Sequence, residues 1–158
     1  MFDSGVGGLS VFDAVVAARL PVEIDYAADD AWLPYGEKAD AALRARVPAL
    51  IAALAQALSP DLVVLACNTA STLALEETRA AVAVPVVGVV PPIKPAAALT
   101  QTGVIGLLAT PATVRRAYTD ALIGEFAAGK RVIRVGDAAL VAAAEAKLAG
   151  RAPPRDAV

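Results

Sequence analysis

The chain has 158 residues, 58% of them hydrophobic and 19% charged, with a net charge of −2 and a mean hydropathy of +0.61, enough apolar material for one domain or two small ones and too much for disorder. It contains no histidine, which removes Ser-His-Asp hydrolysis, Cys-His proteolysis and every histidine metal site. Its single cysteine, Cys67, leaves no internal disulfide and no CxxC pair, and aromatics at 4% argue against a stacking platform for single-stranded nucleic acid.

In chain order, Met1-Phe2 runs into a glycine-rich loop, Asp3 to Gly8, before an Ala/Leu-rich helical stretch over 9–20. A strand is predicted over 22–28, then a loop from Asp29 to Lys38, then a helix over 39–58 that Pro48 should kink or cut short. Asp61-Leu-Val-Val-Leu-Ala66 is apolar on both faces, as a buried parallel strand requires. Cys67-Asn-Thr-Ala-Ser71 follows, with a helix over 71–82, a strand over 85–90 and a proline-rich stretch, Pro91 to Pro95, as the best domain boundary. Strands over 104–109 and 131–135 then alternate with helices over 111–127 and 138–148, and residues 150–158 have no partner element. The alternation predicts an α/β fold: a parallel sheet with helices on both faces.

The amino terminus lacks the basic region of a signal peptide. Pro85, Pro91, Pro92 and Pro95 cut the longest apolar runs, so no membrane span of roughly 20 residues is expected. A lone cysteine fits a reducing compartment, and the expected location is cytoplasmic. Residues 1–79 carry eleven acidic and five basic side chains, and 80–158 carry five and nine. The basic residues, among them Arg115, Arg116, Lys130 and Arg131, are scattered, which describes a solvated surface better than a nucleic-acid face.

Ligands of an open parallel sheet bind outside the carboxyl ends of its strands, so the strand-to-helix loops hold the candidates. Gly5, Gly7 and Gly8 would let backbone amides approach an anion at a helix start. Their GxGG spacing lacks the last glycine of a dinucleotide fingerprint and also suits a tight packing turn. Cys67 ends a buried strand and precedes a helix, whose dipole would favour the thiolate; Asn68 and Thr69 add neutral donors. The competing reading is a small buried hydrophobe. Leu33-Pro-Tyr-Gly36 reads as a turn whose amides are able to hold a carboxylate. Thr110 and Thr113 suit a helix cap, which leaves ligand contact open.

Taken together, Phe2-Asp-Ser-Gly-Val-Gly-Gly-Leu-Ser-Val11, Leu33-Pro-Tyr-Gly-Glu-Lys38, Ala66-Cys-Asn-Thr-Ala-Ser-Thr72, Val84-Pro-Val-Val-Gly-Val89 and Ile105-Gly-Leu-Leu-Ala-Thr-Pro-Ala-Thr-Val114 resemble, in order and spacing, the glutamate racemases of the aspartate/glutamate racemase superfamily. The resemblance implies two pseudo-symmetric α/β domains with the active site between them. Residues 1–92 would be the first, lacking the start of its first strand, and 93–158 an incomplete second. It also implies interconversion of L- and D-glutamate for peptidoglycan synthesis, with no cofactor and no metal, by two cysteines on opposite faces of the α-carbon. By position, Cys67 resembles the first cysteine and Asp3 its acidic partner. Ser4, Tyr35, Gly36, Asn68, Thr69, Thr110 and Thr113 would bind glutamate, and Glu145 matches an acidic residue of the second domain. The second cysteine belongs to a Cys-Thr-His motif that this sequence does not contain, so little racemization is expected of this chain alone. The expected partner is the small-molecule substrate, with neither nucleic acid nor membrane, and a homodimer is left open. An aspartate racemase-like enzyme, a non-catalytic amino-acid-binding fragment or subunit, and a nucleotide module resting on the glycine loop are the alternatives.

Overall fold

Phe2 holds the sheet of the first half together, because it pairs with a strand on each side. The computed structural model describes residues 1–148 and 150–152; the side chains of residues 141, 145 and 148 lie outside that description, and with them the assignment of Glu145. The backbone divides into two units, Met1–Val90 and Pro91–Val158.

In the first unit, β1 (Phe2–Asp3), β2 (Ala27–Ala28), β3 (Val63–Leu65) and β4 (Val86–Gly88) form a parallel sheet in the order β2-β1-β3-β4. Phe2 lies opposite Ala27 on one side and Leu65 on the other, and Val63 lies opposite Val86. The connecting helices are α1 (Leu9–Ala17), α2 (Asp40–Leu58) and α3 (Asn68–Ala81). The chain leaves β1 in one direction across the sheet and β3 in the other. Helices α2 and α3 pack together against one face, sharing its core with β1, β3 and β4. The reversal opens a crevice at the carboxyl ends of β1 and β3, the place where open α/β sheets bind ligands.

Leu43, Val47 and Ile51 recur every four residues on α2 and are fully buried, each contributing about 1.5–3 kcal/mol of burial. They share a core with Phe2, Tyr35, Leu65, Leu73 and Val86. Pro48 does not mark the start of α2, which runs from Asp40 through it to Leu58, although the proline ring removes the N–H due to the Arg44 carbonyl. At 19 residues and a hydropathy of 1.3 it is also long and apolar enough, by length and composition, to cross a membrane; the interrupting prolines all lie outside it.

Other boundaries differ for physical reasons. The strand expected over 22–28 is laddered only at Ala27–Ala28, because β1 presents just two residues to pair with. Helix α1 stops at Ala17, and Arg19 adopts φ 51°. Helix α3 starts three residues early, because Cys67 itself caps it.

In the second unit, β5 (Val104–Ala109) and β6 (Arg131–Gly136) pair in parallel along their whole length. Pro92 and Pro95, expected to lie in a boundary, flank and enter the first turn of helix α4 (Ile93–Leu99), where a proline costs little. The helix expected over 111–127 is two, α5 (Pro111–Arg115) and α6 (Ala117–Phe126), broken where Arg116 turns extended at ψ 142°. Helix α7 spans Ala138–Leu148. Ile93, Ile105, Leu107, Val114 and Ala127 form this unit's core.

Candidate active site

At the end of β1 the glycine loop folds around an anion that belongs to the chain. The Asp3 carboxylate, 5% exposed, accepts Oδ2 hydrogen bonds from the amides of Gly8 at 2.8 Å and Gly5 at 3.3 Å. Two of the three glycine amides expected to receive an external anion, those of Gly5 and Gly8, are therefore already engaged, which disfavours the nucleotide alternative. Gly8 is required here by close approach. A Cβ on it would lie 2.8 Å from Asp3 Cβ, 2.8 Å from the Tyr26 hydroxyl and 2.9 Å from Ala66 Cβ. Tyr26 in turn donates to the Gly5 carbonyl at 3.0 Å.

Across the crevice, β3 delivers Cys67 to the start of α3. Its sulfur accepts from the Ala70 amide at 3.4 Å and its thiol donates to Ser4 Oγ at 3.5 Å. Asp3, Ser4 and Cys67 are thus brought together by two adjacent strands although 63 residues separate Ser4 from Cys67. The electrostatics correct the sequence reading. Burial, with the Asp3 charge second, pushes the Cys67 thiol above its ordinary pKa and outweighs the Ser4 and Ala70 hydrogen bonds that favour the thiolate. Both effects favour the neutral thiol over the thiolate.

The turn carrying Cys67 is fastened by Ser71, whose role the sequence did not reveal. Its hydroxyl donates to the Leu65 carbonyl at 3.0 Å and accepts from the Val89 amide at 3.1 Å, joining the ends of β3 and β4 to α3. Asn68 Nδ2 reaches the Val89 carbonyl at 3.5 Å, and Thr72 donates to the Asn68 carbonyl at 3.0 Å. Asn68 is half-buried and Thr69 buried in the same turn.

Tyr35 is 1% exposed, and its hydroxyl donates to Asp29 Oδ2 at 2.6 Å. Arg46, on α2, grips the same carboxylate with two bonds of 2.6 and 2.7 Å and lies 4.4 Å over the Trp32 ring. Arg46 holds Asp29 below the usual carboxylate range, while burial and the Asp29 bond push the Tyr35 phenol well above its usual value. The phenol is committed to this network; the half-buried Gly36 beside it offers backbone only. Asp29 and Arg46 carried no local sequence signal as a pair, since 17 residues separate them.

Thr110 and Thr113 belong to the second unit. Thr110 caps α5, accepting from the Thr113 amide at 3.2 Å and donating to Thr113 Oγ1 at 2.9 Å. Thr119 donates to the Thr113 carbonyl at 2.7 Å.

Residues 9–156 match the family described as Asp/Glu/hydantoin racemase. The chain belongs to that family. It is 55% identical over 149 residues to the glutamate racemase of Sphingopyxis alaskensis, covering 94% of this chain and 56% of that protein. With the glutamate racemase of Salmonella typhimurium it shares 51% over 150 residues, covering 95% and 53%. The crystal structure of Escherichia coli glutamate racemase, in complex with L-glutamate and the activator UDP-MurNAc-ala, superposes with a TM-score of 0.91 at 48% identity, covering 99% of this chain and 59% of that one. The glutamate racemase of Aquifex pyrophilus gives 0.76 at 35%, covering 85% and 53%. The chain therefore spans about half the length of the curated family relatives it matches.

Proposed function

We propose that the chain carries one catalytic face of a glutamate racemase, an amino-acid isomerase, with Cys67 exchanging the α-proton of glutamate on that face. The observation that carries this reading is Cys67 at the switch-point crevice, hydrogen-bonded to Ser4 and under the charge of Asp3. An α-C–H is a weak acid, so its removal needs a strong base close at hand. A thiol whose pKa is raised by burial supplies that base strength once deprotonated. Ser4 and the Ala70 amide stabilise the sulfur when it is charged, and Asp3, locked by Gly5 and Gly8, favours an ammonium group beside it. The amides of Gly36, Asn68 and Thr69 are the proposed carboxylate donors. A single thiol strips and returns a proton on one face only. Inversion needs a second group on the other face, and this chain, with its one cysteine, is proposed to exchange rather than invert. The chemistry needs no cofactor. A base of this kind requires a reducing compartment, which fits a cytoplasmic supply of D-glutamate for the cell wall.

Because Cys67 is the single thiol, its alkylation reports directly on the site. D- or L-glutamate should slow alkylation of Cys67 by iodoacetamide, aspartate less so, and an uncharged amino acid of the same length not at all. Equal rates with and without glutamate refute the reading, and stronger protection by aspartate transfers the substrate to that amino acid.

A further inference from the structure

The loop that carries Tyr35 and Gly36 is tied to the rest of the unit at very few points. Among the described residues, the backbone hydrogen bonds donated from 30–38 all close inside the loop: Trp32 to Asp29, Leu33 to Asp30, Glu37 to Pro34 and Lys38 to Tyr35. Asp29 is where the loop reaches outward. Its amide donates to the Asp3 carbonyl at 3.0 Å, at the end of β1. Its carboxylate accepts from the Tyr35 hydroxyl and from two nitrogens of Arg46, in the middle of α2. Asp29 is buried, so these charge-assisted bonds are held away from competing water. Tyr35 and Cys67 share one buried cluster, and the turn at 35–37 packs on α3, the helix that Cys67 caps.

We propose that Asp29 is a positioning residue for proton exchange at Cys67. Its backbone holds the end of β1, where Asp3 and Ser4 stand beside the sulfur, and its carboxylate holds the Tyr35-Gly36 turn. One clamp thereby fixes both loops around the same thiol. Arg46 is its anchor, because the buried Leu43, Val47 and Ile51 keep that stretch of α2 in place. The clamp needs a carboxylate in particular. Three donors converge on its two oxygens, and an amide in its place would offer one acceptor and turn an NH2 group toward the remaining donors. Asp29 makes no hydrogen bond to Cys67 among the described residues and acts through Asp3 and Tyr35. The role rests on the racemase reading for its substrate, but the clamp's hold on the surroundings of Cys67 does not.

Two rates test this in the 158-residue chain, at a temperature where every variant is folded by circular dichroism. Alkylation of Cys67 by iodoacetamide without glutamate reads the packing around the sulfur and needs no substrate. Deuterium exchange of the glutamate α-proton at saturating glutamate reads the chemistry, which lost stability alone does not move in a folded chain. Asp29→Asn should speed the glutamate-free alkylation by about 5–30-fold, as the loop opens locally. It should slow α-proton exchange by about 10–100-fold, the effect of a shift of roughly 1 Å in a positioning shell. Tyr35→Phe cuts one arm of the clamp, keeps the ring in the core, and should move both rates the same way by less. Val47→Ala, in α2 but outside the clamp, is the control for stability and should leave both rates close to those of the parent. Asp29→Asn and Tyr35→Phe chains that alkylate and exchange like Val47→Ala overturn the proposal, and Tyr35→Phe alone decides where Asp29→Asn does not fold. A parent chain without α-proton exchange overturns the racemase reading, and with it the catalytic part of this role; the alkylation rates then still decide whether Asp29 holds the loops around Cys67.

Discussion

Gly8→Ala probes how tightly the glycine loop holds the site together. The backbone tolerates alanine, since Gly8 sits at φ −64° and ψ −14°, and the loss of unfolded-chain freedom would by itself stabilise by about 0.4–1 kcal/mol. Against this stand three contacts below 3.0 Å, two of them to Cβ atoms on the ends of β1 and β3 that move only with their strands. Overpacking of this kind costs about 1–3 kcal/mol. Displacing the Tyr26 hydroxyl also strains its bond to Gly5, worth about 0.5–1.5 kcal/mol. The balance is a loss of about 2 kcal/mol, or roughly 10 °C in melting temperature for a unit of this size. Gly7→Ala is the control, because its Cβ would meet nothing nearer than Asp3 Oδ2 at 3.7 Å. Thermal unfolding of both variants, followed by circular dichroism, decides. Equal melting temperatures would refute the claim that Gly8 packs β1 against β3.

The pH profile of Cys67 alkylation should rise with an inflection above the ordinary thiol value; Asp3→Asn should move it to lower pH by removing a negative charge, and Ser4→Ala should move it higher. Tyr35→Phe deletes a donor to a charged acceptor and should lower stability by about 1.5–3 kcal/mol in urea unfolding. Asp29 has its folded pKa depressed, so its contribution is complete above the unfolded carboxylate value and is lost as pH falls through the lower folded one. The urea midpoint of the parent chain should therefore drop over that acidic window more steeply than that of Arg46→Met. Ser71→Ala removes the hydroxyl shared by the Leu65 carbonyl and the Val89 amide, which still bond to each other at 3.0 Å, and should cost about 0.5–1.5 kcal/mol by the same assay.

The parts of this structure legible in the sequence are those written locally. Asp3, Ser4 and Cys67 sit where strand ends meet helix starts, and the alternation of apolar strands with Ala-rich helices gave the parallel α/β class. What depended on distant partners was not legible. The dipole at α3 pointed to a thiolate, whereas burial and the charge of Asp3, carried on another strand, decide for the thiol. Residues 22–26 have strand composition but lack a long enough neighbour. The Asp29–Arg46–Tyr35 network joins a loop to the middle of α2. Pro48 reads as a breaker, yet the buried stripe of Leu43, Val47 and Ile51 on both sides of it holds α2 together.

The central claim is that the sulfur of Cys67 takes the α-proton of glutamate from one side. Incubating the chain in deuterium oxide with each enantiomer separately, and following the α-proton signal by NMR, tests it most directly. Deuterium should enter one enantiomer without inversion, and the incorporation should vanish in Cys67→Ser. Incorporation that survives Cys67→Ser, or none into either enantiomer with the parent chain, contradicts the account.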